Sequence, residues 1–222
     1  MVNKMEPESE HADIENILGL KKLTINEKGL NKMINKSRPR PKIFYSELTE
    51  SLALDCEFVG IGSAGKEHML ARVSVVNERC DVILDTYVKP QKTVIDYRTE
   101  ISGIRPDLME SGQDYGQVRE TVKLMLSGRI LVGHALKNDL YVLNLRHPRH
   151  MVRDTSRFKP IARRIRSLGT PSLKNLSKLI LGEEIQTGIH DSIQDARAAM
   201  KIYLTFQDEW EKSLRKTTQR HR

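Results

Sequence analysis

Asp55 and Glu57 stand two residues apart inside an apolar run, Leu52-Ala53-Leu54-Asp55-Cys56-Glu57-Phe58-Val59. In an extended strand that spacing puts both carboxylates on one face, ~7 Å apart, with Leu54, Cys56 and Phe58 on the other. Two carboxylates so placed repel one another and lose solvation. The competing reading is an edge strand whose acids face water, and the apolar flanks argue against it. Asp139 borders the apolar stripe of Leu136, Leu140 and Leu143, where a helix-surface acid is an equal alternative. His190 and Asp195 open the last helical pattern. There Ser192 with Asp195 reads as a capping box, and an acid in a first turn suits the helix dipole. Local chemistry alone favours the cap for Asp195 and a hydrogen-bonded surface histidine for His190, and Asp154 and Asp191 are further carboxylates close by.

Together these residues suggest one chemistry. Carboxylates can hold two divalent cations ~3.5–4 Å apart, one to activate a water and one to steady a leaving oxygen. Oxygen-only ligands suit Mg²⁺ or Mn²⁺, and the chain carries no Cys/His cluster that would favour zinc. A histidine with a reference pKa near ~6.5 can take the water's proton at neutral pH. A phosphate shared between the cations is then the natural substrate.

Positioning such a set needs a sheet with helices packed on it. Residues 52–59 read as a buried central strand that ends at Gly60-Ile61-Gly62. Residues 69–76 and 81–88 are β-rich, and Asn77-Glu78-Arg79 between them suits a hairpin. Pro106 opens a short helix. Tyr115, Val118, Val122 and Met125 recur at helical spacing until Gly128. A short strand at 129–132, a helix at 136–143, an edge strand at 151–154 and helices at 172–181 and 192 to about 210 complete the pattern. Antiparallel strands first, then alternating helix and strand, predict an α/β architecture with a mixed sheet flanked by helices.

The chain has 222 residues, enough for one domain with extensions. Residues 1–46 read as an N-terminal extension, disordered or strapped over the domain; its end, Ser37-Arg38-Pro39-Arg40-Pro41-Lys42, is a basic linker that proline keeps out of helix. Residues 47–211 are the expected domain and 212–222 a basic C-terminal tail. With 37 Lys+Arg against 29 Asp+Glu the net charge is +8, which points to an anionic partner, nucleic acid first. The segments Arg157-Phe158-Lys159 and Arg163-Arg164-Ile165-Arg166 and the tail read either as phosphate contacts or as solvated charge runs, and the tail also as a nuclear address. Two cysteines are too few for a disulfide framework. No apolar stretch is long enough to span a membrane and the N-terminus is polar, so an intracellular, reducing compartment with no membrane partner is expected.

Three ordered motifs carry a family resemblance: Leu54-Asp55-Cys56-Glu57-Phe58-Val59-Gly60, then Val132-Gly133-His134-Ala135-Leu136-Lys137-Asn138-Asp139-Leu140, then His190-Asp191-Ser192-Ile193-Gln194-Asp195-Ala196-Arg197. They resemble the DEDD superfamily (DEDDh, DnaQ-like) of 3′→5′ exonucleases. Ala71-Arg72-Val73-Ser74-Val75-Val76-Asn77, Asp96-Tyr97-Arg98-Thr99 and Ser102-Gly103-Ile104-Arg105-Pro106 narrow this to the RNA exonuclease 4 branch, close to the interferon-induced RNA exonucleases. The resemblance implies an RNase H-like five-stranded mixed sheet of order 3-2-1-4-5. It assigns Asp55 to both metals, Glu57 and Asp195 to the water-activating one, Asp139 to the second through water, and His190 as the general base. It implies two Mg²⁺ or Mn²⁺ ions and release of nucleoside 5′-monophosphates from the 3′ end of single-stranded RNA. A role on pre-ribosomal RNA, a nucleolar location within the nucleus and a monomeric state are expected with it. Phe58 and Val59 should lie near the terminal nucleotide and Arg98 near its ribose or phosphate, with a core phenylalanine and a surface ion pair as the alternatives. His134 is expected at the substrate side of the second motif, more as its brace than as the base. A DNA exonuclease of the same superfamily and a non-catalytic RNA-binding assembly factor are the rival functions.

Overall fold

The computed structural model describes residues 48–220, with side chains through residue 216. In chain order the elements are β1 (Ser51–Ile61), β2 (Glu67–Asn77), β3 (Val82–Tyr87), α1 (Thr99–Ser102), α2 (Pro106–Glu110), α3 (Tyr115–Leu126), β4 (Ile130–Gly133), α4 (Lys137–Val142), β5 (Val152–Asp154), α5 (Lys159–Arg164), α6 (Leu173–Leu176) and α7 (Ser192–Arg220). A π-helical turn, Ser177–Leu181, continues α6. The five strands form one sheet in the order β3-β2-β1-β4-β5. β1 pairs antiparallel with β2 and parallel with β4, so the sheet is mixed with β1 at its centre.

Alternation along β1 sorts its side chains as period two requires. Leu52, Leu54 and Cys56 face a core that includes Val118, Val122 and Met125 of α3. Ala53 faces the opposite core, with Ala196, Ala199, Met200 and Tyr203 of α7. Asp55 and Glu57 share the Ala53 face, so the first turn of α7 stands over them. A third cluster joins Val59 and Ile61 to Met69, Ile104 and Met109 at the far end of the strand. Phe158, stacked on Trp210 with ring centres 4.0 Å apart, and Tyr203, edge-on to Trp210 at 5.7 Å, lock α7 against the region around β5.

Gly60 shows how closely chain segments meet near the site. A Cβ there would lie 2.5 Å from the Gly65 carbonyl oxygen. The bare backbone instead pairs with the incoming segment: Gly60 donates its N–H to the Asp96 carbonyl at 2.7 Å, and its own carbonyl accepts from Ile95 and Asp96. That ladder fixes the chain two residues before Arg98.

Three expectations change. The last helix does not stop near Trp210 but runs to Arg220, so most of the stretch read as a separate basic tail continues α7. α5 arises where only a charge run was read; Phe158 beside it is buried, and the Arg164 guanidinium lies 5.0 Å over the Phe206 ring. α1 was not foreseen, because four residues carry too little periodicity to announce a helix. The N-terminal extension, 1–46, lies outside the described residues.

Candidate active site

The sheet leaves a gap where the chemistry gathers. β4 pairs with β1 only from Ser51 to Ala53 and ends at Gly133, while β1 runs on to Ile61. Beyond that end α4 turns inward, and Asp139 Oδ1 accepts the Cys56 N–H at 3.0 Å. Asp139 is therefore no surface acid; it is 4% exposed and takes the place of a sheet partner. Asp195, in the first turn of α7, is also 4% exposed and Glu57 is 7% exposed.

A cavity of about 300 Å³ is lined by Asp55, Glu57, Phe58, Arg98, His190 and Asp195, together with Cys56, Ile101, Ser102 and Gln186. Asp139 stands behind it, against the Cys56 backbone. The His190 backbone N–H donates to the Ile101 carbonyl at 2.7 Å, which ties the histidine's segment to α1, and His190 is among the residues that line the cavity.

The carboxylates feel one another strongly. Burial first, then the charges of Asp139, Asp195 and Glu57, hold Asp55 well above the ordinary carboxylate range, while Arg72 pulls the other way. Burial and Asp195 push Glu57 up from 4.5 to about 8. Burial pushes Asp139 up from 3.8 to about 7 against the hydrogen bonds it accepts. Asp195 is raised by burial, with the Gln186 hydrogen bond and His190 opposing. Raised carboxylates in one place are the signature of charge awaiting a counter-ion or a proton.

Sequence reasoning passed over the cation beneath this set. Arg72 lies across from Glu57 in the β1–β2 register. Its guanidinium donates to both oxygens of Asp85, at 2.8 and 3.0 Å, and to Asp191 Oδ1 at 3.0 Å. Burial works against this charge, but the Asp85 hydrogen bonds raise the guanidinium above its ordinary range. Ser74 extends the frame, donating to Asp85 and sharing a 2.7 Å hydrogen bond with Ser192. Gln186 was also missed; its amide donates to Asp195 Oδ2 at 2.7 Å. Only cross-strand register and loop packing identify these residues, and neither is written locally in the sequence.

Ser192 and Asp195 do not form a capping box. Ser192 Oγ faces Ser74, and Asp191 caps the helix instead: its side chain accepts the Ile193 N–H and its carbonyl the Asp195 N–H. Val59 is wholly buried, so its side chain is no substrate contact. Alternation places it on the acidic face, but the segment carrying Ile104 and Met109 covers it. His134 is absent from the cavity lining; its Nδ1 meets Thr155 Oγ1 at 2.9 Å, as a brace would. Phe58 does reach the cavity despite alternation. The β1–β2 register slips between Glu57 and Phe58, and its ring lies 5.7 Å from that of His68. Arg98, in the left-handed region at φ 52°, donates to the Gly65 carbonyl at 3.0 Å and pairs with His68 Nδ1 at 2.8 Å.

The donor set fits a hard divalent cation. It is all oxygen, its charges repel, and Asp195 Oδ1 is buried with no hydrogen-bond partner among the described residues. Among the described residues no three His, Cys, Asp or Glu side chains are closed into a ready cage, so the fit rests on that unsatisfied oxygen and on the crowding of charge.

A mixed sheet of order 3-2-1-4-5 that pools carboxylates from its central strand and its last helix defines an RNase H-like exonuclease domain. A family model described as "Exonuclease" matches residues 52–203. RNA exonuclease 4 of Mus musculus is 47% identical over 201 residues, covering 90% of this chain and 46% of the mouse protein. RNA exonuclease 4 of Homo sapiens is 47% identical over 207 residues, covering 92% and 49%. The chain thus spans about half the length of these curated relatives. A solved Saccharomyces cerevisiae Pan2 pseudoubiquitin hydrolase-RNA exonuclease module in complex with AAGGAA RNA superposes with a TM-score of 0.63 at 31% identity, covering 74% of this chain and 30% of that one. The chain belongs to the exonuclease family, in the DEDD-type branch of RNA exonuclease 4.

Proposed function

We propose that this chain is a metal-dependent 3′→5′ exoribonuclease that releases nucleoside 5′-monophosphates from single-stranded RNA. One observation carries the reading: Asp55, Glu57, Asp139 and Asp195 converge from three elements on one place beside His190. The names of the curated relatives and the RNA held by the Pan2 module support it.

Two Mg²⁺ or Mn²⁺ ions, when bound, would polarise the scissile phosphate and lower the pKa of the attacking water. Asp55 would serve both, Glu57 and Asp195 one, and Asp139 the other. His190 takes the water's proton, its place fixed by the backbone bond to Ile101. Phe58 offers its ring to the terminal base. Arg98, already held by Gly65 and His68, presents its remaining donor capacity to the ribose or phosphate with little orientation left to lose. Arg72 keeps the clustered negative charge tolerable while the site is free of substrate. The net charge of +8 suits an RNA substrate, and we place the protein in the nucleus, at the nucleolus, acting as a monomer on pre-ribosomal RNA.

The direct test incubates a 3′-tailed RNA, and DNA of the same sequence, with the protein and Mn²⁺. Shortening of RNA from its 3′ end, lost with Asp55→Ala and with chelator, is expected. Cleavage that survives either control sinks the mechanism, and faster cleavage of the DNA moves the substrate class. His190→Ala should lower kcat by about 100-fold or more while leaving RNA affinity within a few-fold.

A further inference from the structure

Outside the catalytic cavity the structure carries a larger groove, of about 710 Å³, between α4, β5 and the outer half of α7. Its lining includes Lys137, His147, Arg149 and Arg157. Lys137, Arg149 and Arg157 are exposed, and among the described residues no carboxylate pairs with any of the three. The one acid among the described residues of the lining, Asp154, is buried, and its Oδ1 accepts from the Ala135 and Ser156 N–H groups and the Ser156 hydroxyl. Among the described residues the groove therefore presents three exposed cations without a carboxylate partner, against one buried acid turned to neutral donors. A smaller pocket, of about 260 Å³, shares Leu140 and His147 with it and adds Arg146, while its Lys123 is already paired with Glu120 at 2.7 Å.

Two features give this groove a direction. β1, β4 and β5 run parallel, so Gly133 and Asp154 end their strands on the side of the sheet where Asp55 and Glu57 lie. Lys137 opens the same short helix that carries Asp139 two residues later, which puts the groove's edge one helix away from the catalytic carboxylates. Tyr141, four residues beyond Lys137 and on the same helix face, is 72% exposed. A large aromatic ring left in solvent one helical turn from the unpaired Lys137, at the groove's edge, is the pairing that single-stranded nucleic acids use, with bases stacked on rings and phosphates on lysine and arginine.

On the basis of the RNA-cleaving function proposed above, we infer that the strand upstream of the scissile nucleotide leaves the cavity past α4 and lies in this groove. Lys137, Arg149 and Arg157 hold its phosphates, and Tyr141 stacks one base. The binding is sequence-independent, because every contact is to phosphate or to a base face. Catalysis is fixed at the carboxylates, and the groove sets how strongly a long strand is retained between cuts.

The test uses the full chain. In an Asp55→Asn background, affinity for a single-stranded RNA of about 16 nucleotides is measured by fluorescence anisotropy over a salt series. Each phosphate contact to a single strand adds ~0.7 to the slope of log K against log salt, so Lys137→Ala/Arg149→Ala/Arg157→Ala should flatten the slope by about 2. Tyr141→Ala should weaken binding about 5-fold or more with the slope unchanged. The charge-conserving Lys137→Arg/Arg149→Lys/Arg157→Lys should retain the parent slope, which separates lost charge from lost folding. With Asp55 restored, the kcat/KM advantage of the long RNA over a dinucleotide should shrink in the triple alanine variant. A parent that cuts the dinucleotide while the groove variants bind and cut the long RNA like the parent overturns the groove and leaves the proposed function standing. A parent that cuts neither substrate overturns both.

Discussion

Replacing Asp139 by asparagine is expected to make the metal-free protein more stable while removing its proposed activity. The reasoning starts from two facts about one side chain. Oδ1 accepts the Cys56 N–H beyond the end of β4, and an asparagine oxygen can do the same. What the substitution deletes is the charge, which burial already opposes by pushing the carboxyl from 3.8 to about 7. A carboxyl whose folded pKa lies above its unfolded one contributes stability that is intact below the unfolded value and is lost as the pH rises to the folded value. For Asp139 that window runs from about 4 to about 7. About three pKa steps at ~1.4 kcal/mol each set a ceiling near ~4 kcal/mol, which relaxation and water penetration reduce. Urea unfolding in chelator should therefore show Asp139→Asn close to the parent near pH ~4 and more stable by about 1–4 kcal/mol near pH ~8. Mn²⁺ should reverse the order, because the parent binds it more tightly and gains more by mass action. Turnover should fall by about 100-fold or more, as when one electrostatic stabiliser is removed from a site. A variant less stable than the parent at high pH in chelator, or a difference that ignores pH, refutes the claim that Asp139 is held charged at a cost to the fold.

Three further outcomes follow from the same geometry. Arg72→Met should destabilise the protein by about 3–5 kcal/mol, since it leaves Asp85 and Asp191 without their cation. A double-mutant cycle with Asp85→Asn, read by denaturant unfolding, should return most of that loss as coupling; an additive cycle rejects the pair. Glu57, raised to about 8, must lose a proton to serve a cation, so the apparent Mn²⁺ affinity measured by calorimetry should climb from pH ~6 to ~8 with proton release. A flat profile means that Glu57 is already ionised. Trp210→Ala should cost about 3–5 kcal/mol through loss of the stack on Phe158 and the edge contact with Tyr203. A thermal melt within a degree or two of the parent would show that α7 is held elsewhere.

Strand alternation inside an apolar run was enough to put Asp55 and Glu57 on one face of a buried central strand, and the spacing of apolar residues gave the hairpin, the helices and the mixed sheet. The family resemblance gave the strand order and pooled Asp139, Asp195 and His190 with the first pair. Residue by residue, local reasoning could not reach that far. An acid beside a helical stripe reads equally as solvated, and an acid in a first turn reads as a cap, because both patterns satisfy the same short-range energetics. Tertiary structure separated them. β4 stops short, so the Cys56 N–H has to be met by Asp139. Asp191 takes the capping bonds, so Asp195 is turned toward the cavity with one oxygen unsatisfied. The register of β1 on β2 sets Arg72 across from Glu57 and slips at Phe58, and the segment around Ile104 buries Val59. Period two and period 3.6 fix which face a side chain takes. Which neighbour waits on that face depends on where strands end and how they pair, and those are long-range matters that no local pattern encodes.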